Sequence, residues 1–387
     1  MSVFTYNALE LYTWLTNKED IIVLDVRNKV DFSRFKVEAP YPFSLLNISY
    51  FDFMEIADEC VAQIPKDKPV RVVCAKEGSA LYVAEILEKK GFNDVGYLEG
   101  GIKTWGNLLV PMLLSPDEPY ALYQFIRPGK ASCSYGIIAG NELMLFDPSR
   151  NTDFYLDFAK QNKCAIVKTF ETHLQADYIA GSRIISEQSG ASFMANENDF
   201  KGSRNKYTPL VDKRSYLFSD KGPDVQCLFT PGHTPGSTSF IIDEKFMVSG
   251  DTIFIHSVGR PDLGGQVQTW SDALFDTLQS LKHYPNEMQI LPGHYMNWNE
   301  ATKDLMFCAS LAETKEHNKT IYAIDNKKEF LAFIEGNMRK QPKEYATIRL
   351  INANLEHVDD DKAEELDLGK NECAATAFAA KQHNTDL

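Results

Sequence analysis

The chain has 387 residues, 44% hydrophobic and 24% charged, which is too long for one ordinary domain and apolar enough for more than one buried core. Its 40 basic and 54 acidic residues leave a formal charge of −14, against a general nucleic-acid or anionic-membrane partner. Seven cysteines without a Cys-x-x-Cys pair give neither a disulfide framework nor a structural zinc knuckle, so a reducing compartment is expected. The N-terminus has neither a basic stretch leading into an apolar core nor an Arg-rich, acid-poor character. No apolar run nears the roughly 18 residues needed to span a bilayer. A cytoplasmic protein without membrane contact is the expectation.

Residues 1–110 read as a first unit. Ile21 to Arg27 reads as a buried parallel strand that is apolar through Leu24 and ends in polar residues. Pro69 to Val73 is a second such strand, followed by Cys74-Ala75-Lys76-Glu77-Gly78-Ser79 and then a helix over about Ala80 to Lys90. A thiol between a strand end and a helix start faces backbone N–H groups and the positive end of the helix dipole, which favour a thiolate or persulfide. The plainer alternative is a small buried cysteine. Leu24-Asp25-Val26-Arg27, the Cys74 loop and Tyr97-Leu98-Glu99-Gly100-Gly101-Ile102-Lys103-Thr104-Trp105 follow in the order and at the spacing of a rhodanese domain, and the unit resembles that family throughout. The resemblance implies sulfane-sulfur transfer through Cys74. Ser79 stands where many members carry Arg, so Lys76 is the loop's remaining cation and thiosulfate is expected to be a poor donor.

A proline-bearing connection is expected over about 107–118, and a second unit over 119–356. Ser132 to Ala139 and Glu142 to Phe146 are apolar runs joined by Gly140-Asn141, a hairpin signal. Thr238 to Ile242 and Phe246 to Ser249, around Asp243-Glu244, form another. Trp270 to Leu281 has the period of an amphipathic helix, and 300–356 reads as mainly helical. Residues 357–387, with Asp359-Asp360-Asp361, are expected to be a loosely held tail.

Four loops of this unit carry His, His, Asp and His, each after a β-like run: Glu171-Thr172-His173, Pro231-Gly232-His233, Ser249-Gly250-Asp251 and Pro292-Gly293-His294. This arrangement resembles the metal site of the metallo-β-lactamase superfamily, whose first loop normally reads His-x-His-x-Asp-His. Here it reads His173-Leu174-Gln175-Ala176-Asp177-Tyr178, so two of its three histidines are absent. His173, His233 and Asp251 remain, the two-imidazole, one-carboxylate set of mononuclear non-haem Fe(II) oxygenases. His294 reads as the survivor of a second metal position. Gln175, Asp177 and Tyr178 are expected around the metal, Gln175 holding a metal-bound water or marking decay. Taken one at a time, Asp251 could be a turn-capping residue and each histidine an ordinary buried one.

The fold class that follows is α/β, a rhodanese-like parallel sheet with helices on both faces and then a metallo-β-lactamase αββα sandwich. The branch that the second unit resembles is that of the persulfide dioxygenases. The resemblance implies one Fe(II) per chain and oxidation of a low-molecular-weight persulfide, glutathione persulfide first, to sulfite with O₂. It implies Arg260, in Gly259-Arg260-Pro261-Asp262, as a clamp for the glutathione carboxylate, with Tyr295 after His294 beside the substrate. A salt bridge from Arg260 to Asp262 is the structural alternative. Thiosulfate, sulfite or glutathione would exchange sulfur at Cys74 with Lys76 nearby, and a homodimer is compatible with the chain. Two other readings stay open: a sulfurtransferase carrying an inert scaffold domain, and a dinuclear thioester hydrolase of the glyoxalase II kind.

Overall fold

The computed structural model describes residues 3–376, which divide into two compact units. Of these, the first comprises 3–110 with the short segments 127–130 and 368–370, and the second holds the remaining described residues.

The first unit is built on a five-stranded sheet in which β1 (Phe4–Tyr6), β2 (Ile22–Asp25), β3 (Ser44–Asn47), β4 (Val70–Val73) and β5 (Val95–Leu98) lie in the order β1-β5-β4-β2-β3. All pairings are parallel. Every residue of β2 and β4 is buried, so both faces of the sheet are covered, as their largely apolar sequences suggest. The helix Glu77–Lys89 covers part of it with Ala80, Val83, Ala84 and Leu87, spaced to line one face of a helix. Arg27 donates from Nε and Nη2 to the carboxylate of buried Asp25, closing the loop after β2.

The second unit holds two sheets. In one, β6 (Val110–Leu113), β7 (Ala121–Arg127), β8 (Ser132–Ala139), β9 (Glu142–Phe146), β10 (Ala165–Phe170), β11 (Ser192–Ala195) and β12 (Thr208–Pro209) lie in reverse chain order. In the other, β13 (Ser215–Tyr216), β14 (Val225–Phe229), β15 (Thr238–Ile242), β16 (Phe246–Gly250), β17 (Gln289–Pro292) and β18 (Ala309–Ser310) lie in chain order. Phe146 and Phe170 from the first sheet meet Phe240 from the second, with ring centroids 4.9–5.1 Å apart, so the sheets pack face to face. Both hairpins form where the turn residues fall: Gly140 between β8 and β9 has φ +59°, and Asp243 and Glu244 between β15 and β16 also take positive φ. The expected helix near Trp270 runs Val267–Leu281, and helices fill much of 311–352.

Two stretches differ from their sequence reading. The proline-bearing connection contributes β6, a strand. The stretch 357–387, expected as a loose tail, is folded through residue 376; the remainder lies outside the described residues. Asp360–Asp367 is a helix whose Ala363 and Leu366 pack on Ile179 and Ile348. Its acidic residues do not repel it into solvent, because Arg150 pairs with Glu364 and with Asp367 at 3.2 Å. Asp367 also accepts the Ile179 N–H at 3.0 Å. No helix among the described residues is long and apolar enough to cross a membrane.

Candidate metal centre

Strands β10, β14, β16 and β17 end at Phe170, Phe229, Gly250 and Pro292, and the loops that follow them carry His173, His233, Asp251 and His294. Gly250 takes φ +49°, and a Cβ there would stand 2.3 Å from Thr172 Oγ1, so only glycine lets these loops close on each other.

His173 Nε2 and His233 Nε2 lie 3.8 and 3.6 Å from Asp251 Oδ2, and all three side chains are almost wholly buried. Bond lengths near 2.0–2.2 Å put donors on one metal roughly 3–3.6 Å apart, so the spacing fits a shared ion after slight contraction. Hydrogen bonds aim the bare atoms inward. His233 donates from Nδ1 to the Arg260 carbonyl at 2.9 Å, which leaves Nε2 its lone pair. The Thr172 hydroxyl donates to Asp147 Oδ2 at 2.8 Å and so accepts from His173 Nδ1 at 2.9 Å, which fixes the same tautomer there. Buried His173 Nε2 and Asp251 Oδ2 have no hydrogen-bond partner. Orphaned, buried and convergent donors of this kind are what a bound cation satisfies.

The electrostatics agree. Burial pushes His173 down to about 4, with Asp251 only partly opposing it, so its imidazole is neutral, the form that binds metal. Burial would raise Asp251, but His294, His173 and His233 together hold its carboxyl below the usual range. His294 donates from Nδ1 to Asp251 Oδ1 at 2.8 Å, and its Nε2 lies 2.8 Å from Asp177 Oδ2. Burial disfavours its charge, yet Asp177 and Asp251 outweigh burial and lift it to about 10.

The other expected site residues take different places. Tyr178 turns its hydroxyl to the Asp147 carbonyl at 3.3 Å, and its ring lies against His294. Gln175, with Glu171 and Ser182, lines a cavity of about 80 Å³. Burial, reinforced by Asp147, pushes the Glu171 carboxyl well up. Arg260 is not a free clamp. Its guanidinium takes Asp262 in a fork at 2.7 and 2.6 Å and also donates to the carbonyls of Arg339 and Glu372. Buried to 2% exposure and committed on three sides, it holds chain segments together. Tyr295 is likewise a core residue, stacked on Phe307 with centroids 3.5 Å apart.

In the first unit, Cys74 is buried at the end of β4 and its carbonyl accepts the Ile102 N–H at 2.8 Å. Lys76 is exposed at the N-cap of the helix Glu77–Lys89, which begins inside the loop, so Ser79 belongs to its first turn.

Thr172, Asp147 and Cys373 were not assigned roles from sequence. Thr172 precedes a candidate ligand, and that adjacency was the available signal. Cys373 falls in the stretch expected to be a loosely held tail, yet its Sγ, with Asp177 and His294, forms a second buried group of donors within 4.8 Å of one another.

Residues 7–108 match the rhodanese-like domain family. A hydroxyacylglutathione hydrolase from Haemophilus ducreyi is 26% identical over 160 residues, 41% of this chain and 64% of that protein. The crystal structure of a metallo-β-lactamase from Staphylococcus aureus is similar with a TM-score of 0.55 at 25% identity, covering 63% of this chain and 75% of that one. That of ETHE1 from Myxococcus xanthus has a TM-score of 0.52 at 24% identity, covering 61% and 99%, and bears on fold alone. The chain thus joins a rhodanese-like domain to a unit of the metallo-β-lactamase fold.

Proposed function

We propose that the second unit is an Fe(II)-dependent persulfide dioxygenase and that the first moves sulfane sulfur through Cys74. The balanced overall reaction is R–S–SH + O₂ + H₂O → R–SH + SO₃²⁻ + 2 H⁺, with glutathione persulfide the first substrate to try. The observation that supports the reading is the convergence of His173 Nε2, His233 Nε2 and Asp251 Oδ2. His173, His233 and Asp251 would hold an Fe(II), which would supply the O₂ chemistry that the oxidation needs. Thr172 and the Arg260 carbonyl keep both imidazoles in the ligating tautomer, and His294 orients Asp251 from its far oxygen. Near-complete burial of these side chains keeps bulk water from competing for the donors.

Cys74 would accept sulfane sulfur as a persulfide and pass it to a thiol or to sulfite. Its place between a parallel strand and a helix start, in the segment matching the rhodanese-like domain, supports this.

The test is anaerobic purification with iron supplied, followed by O₂ uptake with and without persulfide. One iron per chain is expected, with uptake only when persulfide is present. His173→Ala, His233→Ala and Asp251→Ala should each lose iron and uptake, whereas Gln175→Ala keeps most of the iron. The second reading is a thioester hydrolase, favoured by the hydroxyacylglutathione hydrolase relative. Thioester hydrolysis without persulfide-dependent uptake would establish it and overturn the first.

A further inference from the structure

We propose that the first unit docks a basic protein thiol on an acidic and apolar face beside Cys74, and that this protein is the sulfur partner of that cysteine. The inference rests on the transfer role of Cys74 proposed above.

The face is built by the chain after β3. Strands β2, β3 and β4 are parallel, and Asp25 is in register with both Asn47 and Val73. The segments that follow Asn47 and Val73 therefore leave the sheet at one edge. One of them is the Cys74 loop. The other leads into the helix Tyr50–Glu55, held there by the Tyr50 N–H donating to the Val26 carbonyl at 2.8 Å. Phe53 anchors this helix in the core that also holds Cys74 and Ala80. The remaining apolar side chains do not join that core. Phe51 is 65% exposed, Met54 56% and Ile56 45%. The Tyr50 ring lies 5.4 Å from that of Phe51 and 5.5 Å from that of Tyr82, centroid to centroid. Tyr82 is also exposed, and its helix Glu77–Lys89 begins in the Cys74 loop. A single exposed Leu or Phe needs no explanation. A joined set of aromatic and methionine side chains has the composition of a protein interface.

Charge selects the occupant. Residues three and four apart are neighbours on a helix, so Asp52 and Glu55 interleave with Phe51 and Met54. Asp58 and Glu59 continue the acidic run in the helix Ala57–Val61. All four are exposed, and neither helix carries a basic residue. Lys90 pairs with Asp58, whereas Asp52, Glu55 and Glu59 have no ion pair among the described residues. An apolar patch interleaved with unpaired carboxylates complements a partner whose apolar contact is ringed by Lys or Arg. A small sulfur anion is repelled by these carboxylates and leaves the apolar side chains uncovered. A basic protein meets both.

The probes are two synthetic peptides of equal length and apolar content, each with a single cysteine as its mixed disulfide with thionitrobenzoate. Lysines flank the cysteine in one and glutamates in the other. The Cys74 thiolate attacks the peptide sulfur, a new S–S bond forms as the old one breaks, and thionitrobenzoate leaves with the electron pair. The Cys74-dependent rate is that of the full chain minus that of Cys74→Ser. At low salt the lysine peptide should react about tenfold faster, and the preference should shrink as salt rises. Glu55→Lys should cut the preference severalfold. Glu19→Lys should not, although it changes the net charge equally, because Glu19 precedes β2 at the opposite edge of the sheet. Phe51→Ser combined with Met54→Ser should slow the lysine peptide severalfold, and both side chains are exposed enough to be replaced without loss of the core. Equal rates for the two peptides, or equal effects of Glu55→Lys and Glu19→Lys, would overturn the proposal. No Cys74-dependent release from either peptide would overturn it together with the transfer role. A charge preference without any sulfane-sulfur transfer would remove the transfer role and leave the docking face.

Discussion

The main-chain carbonyl of Arg260 accepts the Nδ1 proton of His233 at 2.9 Å, while its side chain is forked onto Asp262. The residue therefore serves the metal centre through its backbone, and its guanidinium sets where that backbone lies. Lysine offers a single point charge and cannot reproduce the fork or reach the Arg339 and Glu372 carbonyls together. Arg260→Lys is expected to cost about 3 kcal/mol of stability, as for breaking a buried pair, and to weaken metal binding. The KM for persulfide of the metal-loaded fraction should not change. Thermal melts with and without metal, beside steady-state kinetics, check this; a raised KM with an unchanged melt would restore Arg260 as a substrate clamp.

Thr172 links Asp147 to His173, donating its hydroxyl to one and accepting from the other. Thr172→Val keeps the shape and removes the relay. Partners of this kind are worth roughly 10–100-fold in metal affinity, so competition with a chelator should show a loss in that range. Thr172→Ser, which keeps the hydroxyl, should recover most of it. Equal affinity for Val and Ser variants would show that the contact does not orient His173.

Much of this arrangement was legible in the sequence because it depends on local patterns. Largely apolar runs marked β2 and β4, turn residues marked both hairpins, and strand-end loops marked His173, His233, Asp251 and His294. What escaped were relationships set by tertiary pairing. The acidic run near Asp360 looks like a solvated tail until Arg150, more than 200 positions away, pairs with Glu364 and Asp367. Arg260 beside Asp262 allowed either a clamp or a salt bridge; the salt bridge forms, and the further contacts to the carbonyls of Arg339 and Glu372 come from chain segments too distant to read locally. Gln175 shares its loop with His173 and also lines a cavity with Glu171 and Ser182, which loop membership does not specify.

The histidines give the metal-free protein opposite pH limbs. His173 falls to about 4 in the fold against about 6.5 unfolded, so below pH 6.5 the unfolded chain binds more protons and stability drops toward pH 4. His294 rises to about 10, so its contribution is full below pH 6.5 and is lost as pH climbs toward 10. Melting temperatures of metal-free wild type and His294→Gln across this range separate the limbs. The difference between them should shrink steadily on the alkaline side; a constant difference would mean that His294 is not charged in the fold.

Cys74 lies in a unit with its own sheet and its own core. Cys74→Ser should therefore abolish sulfane-sulfur transfer while leaving iron content and persulfide-dependent O₂ uptake intact. Lys76 is exposed, and Lys76→Ala should raise the KM for an anionic sulfur donor more than for a neutral one. Cyanide or thiol acceptor assays on both variants decide the point, and substantial turnover by Cys74→Ser would move the role to another thiol.

Gly293 offers the most local test of how the centre is built. A Cβ there would stand 2.6 Å from Asp251 Oδ1, the oxygen that holds His294, and 3.2 Å from the Gly250 carbonyl carbon. The side chain has no room to yield, because the Asp251 loop is pinned by the Gly293 N–H donating to the Gly250 carbonyl at 2.8 Å. Gly293→Ala should therefore displace Asp251, cost about 1–3 kcal/mol as overpacking does, and lose metal at the triad. Gly336 makes the control, since it sits in the helix Lys327–Asn337 and a Cβ there meets nothing within 4 Å. Gly336→Ala should raise stability by about 0.5–1 kcal/mol through helix propensity and leave metal binding unchanged. If Gly293→Ala binds iron as wild type does, Asp251 is not held by close packing, and the orientation attributed to that contact is wrong.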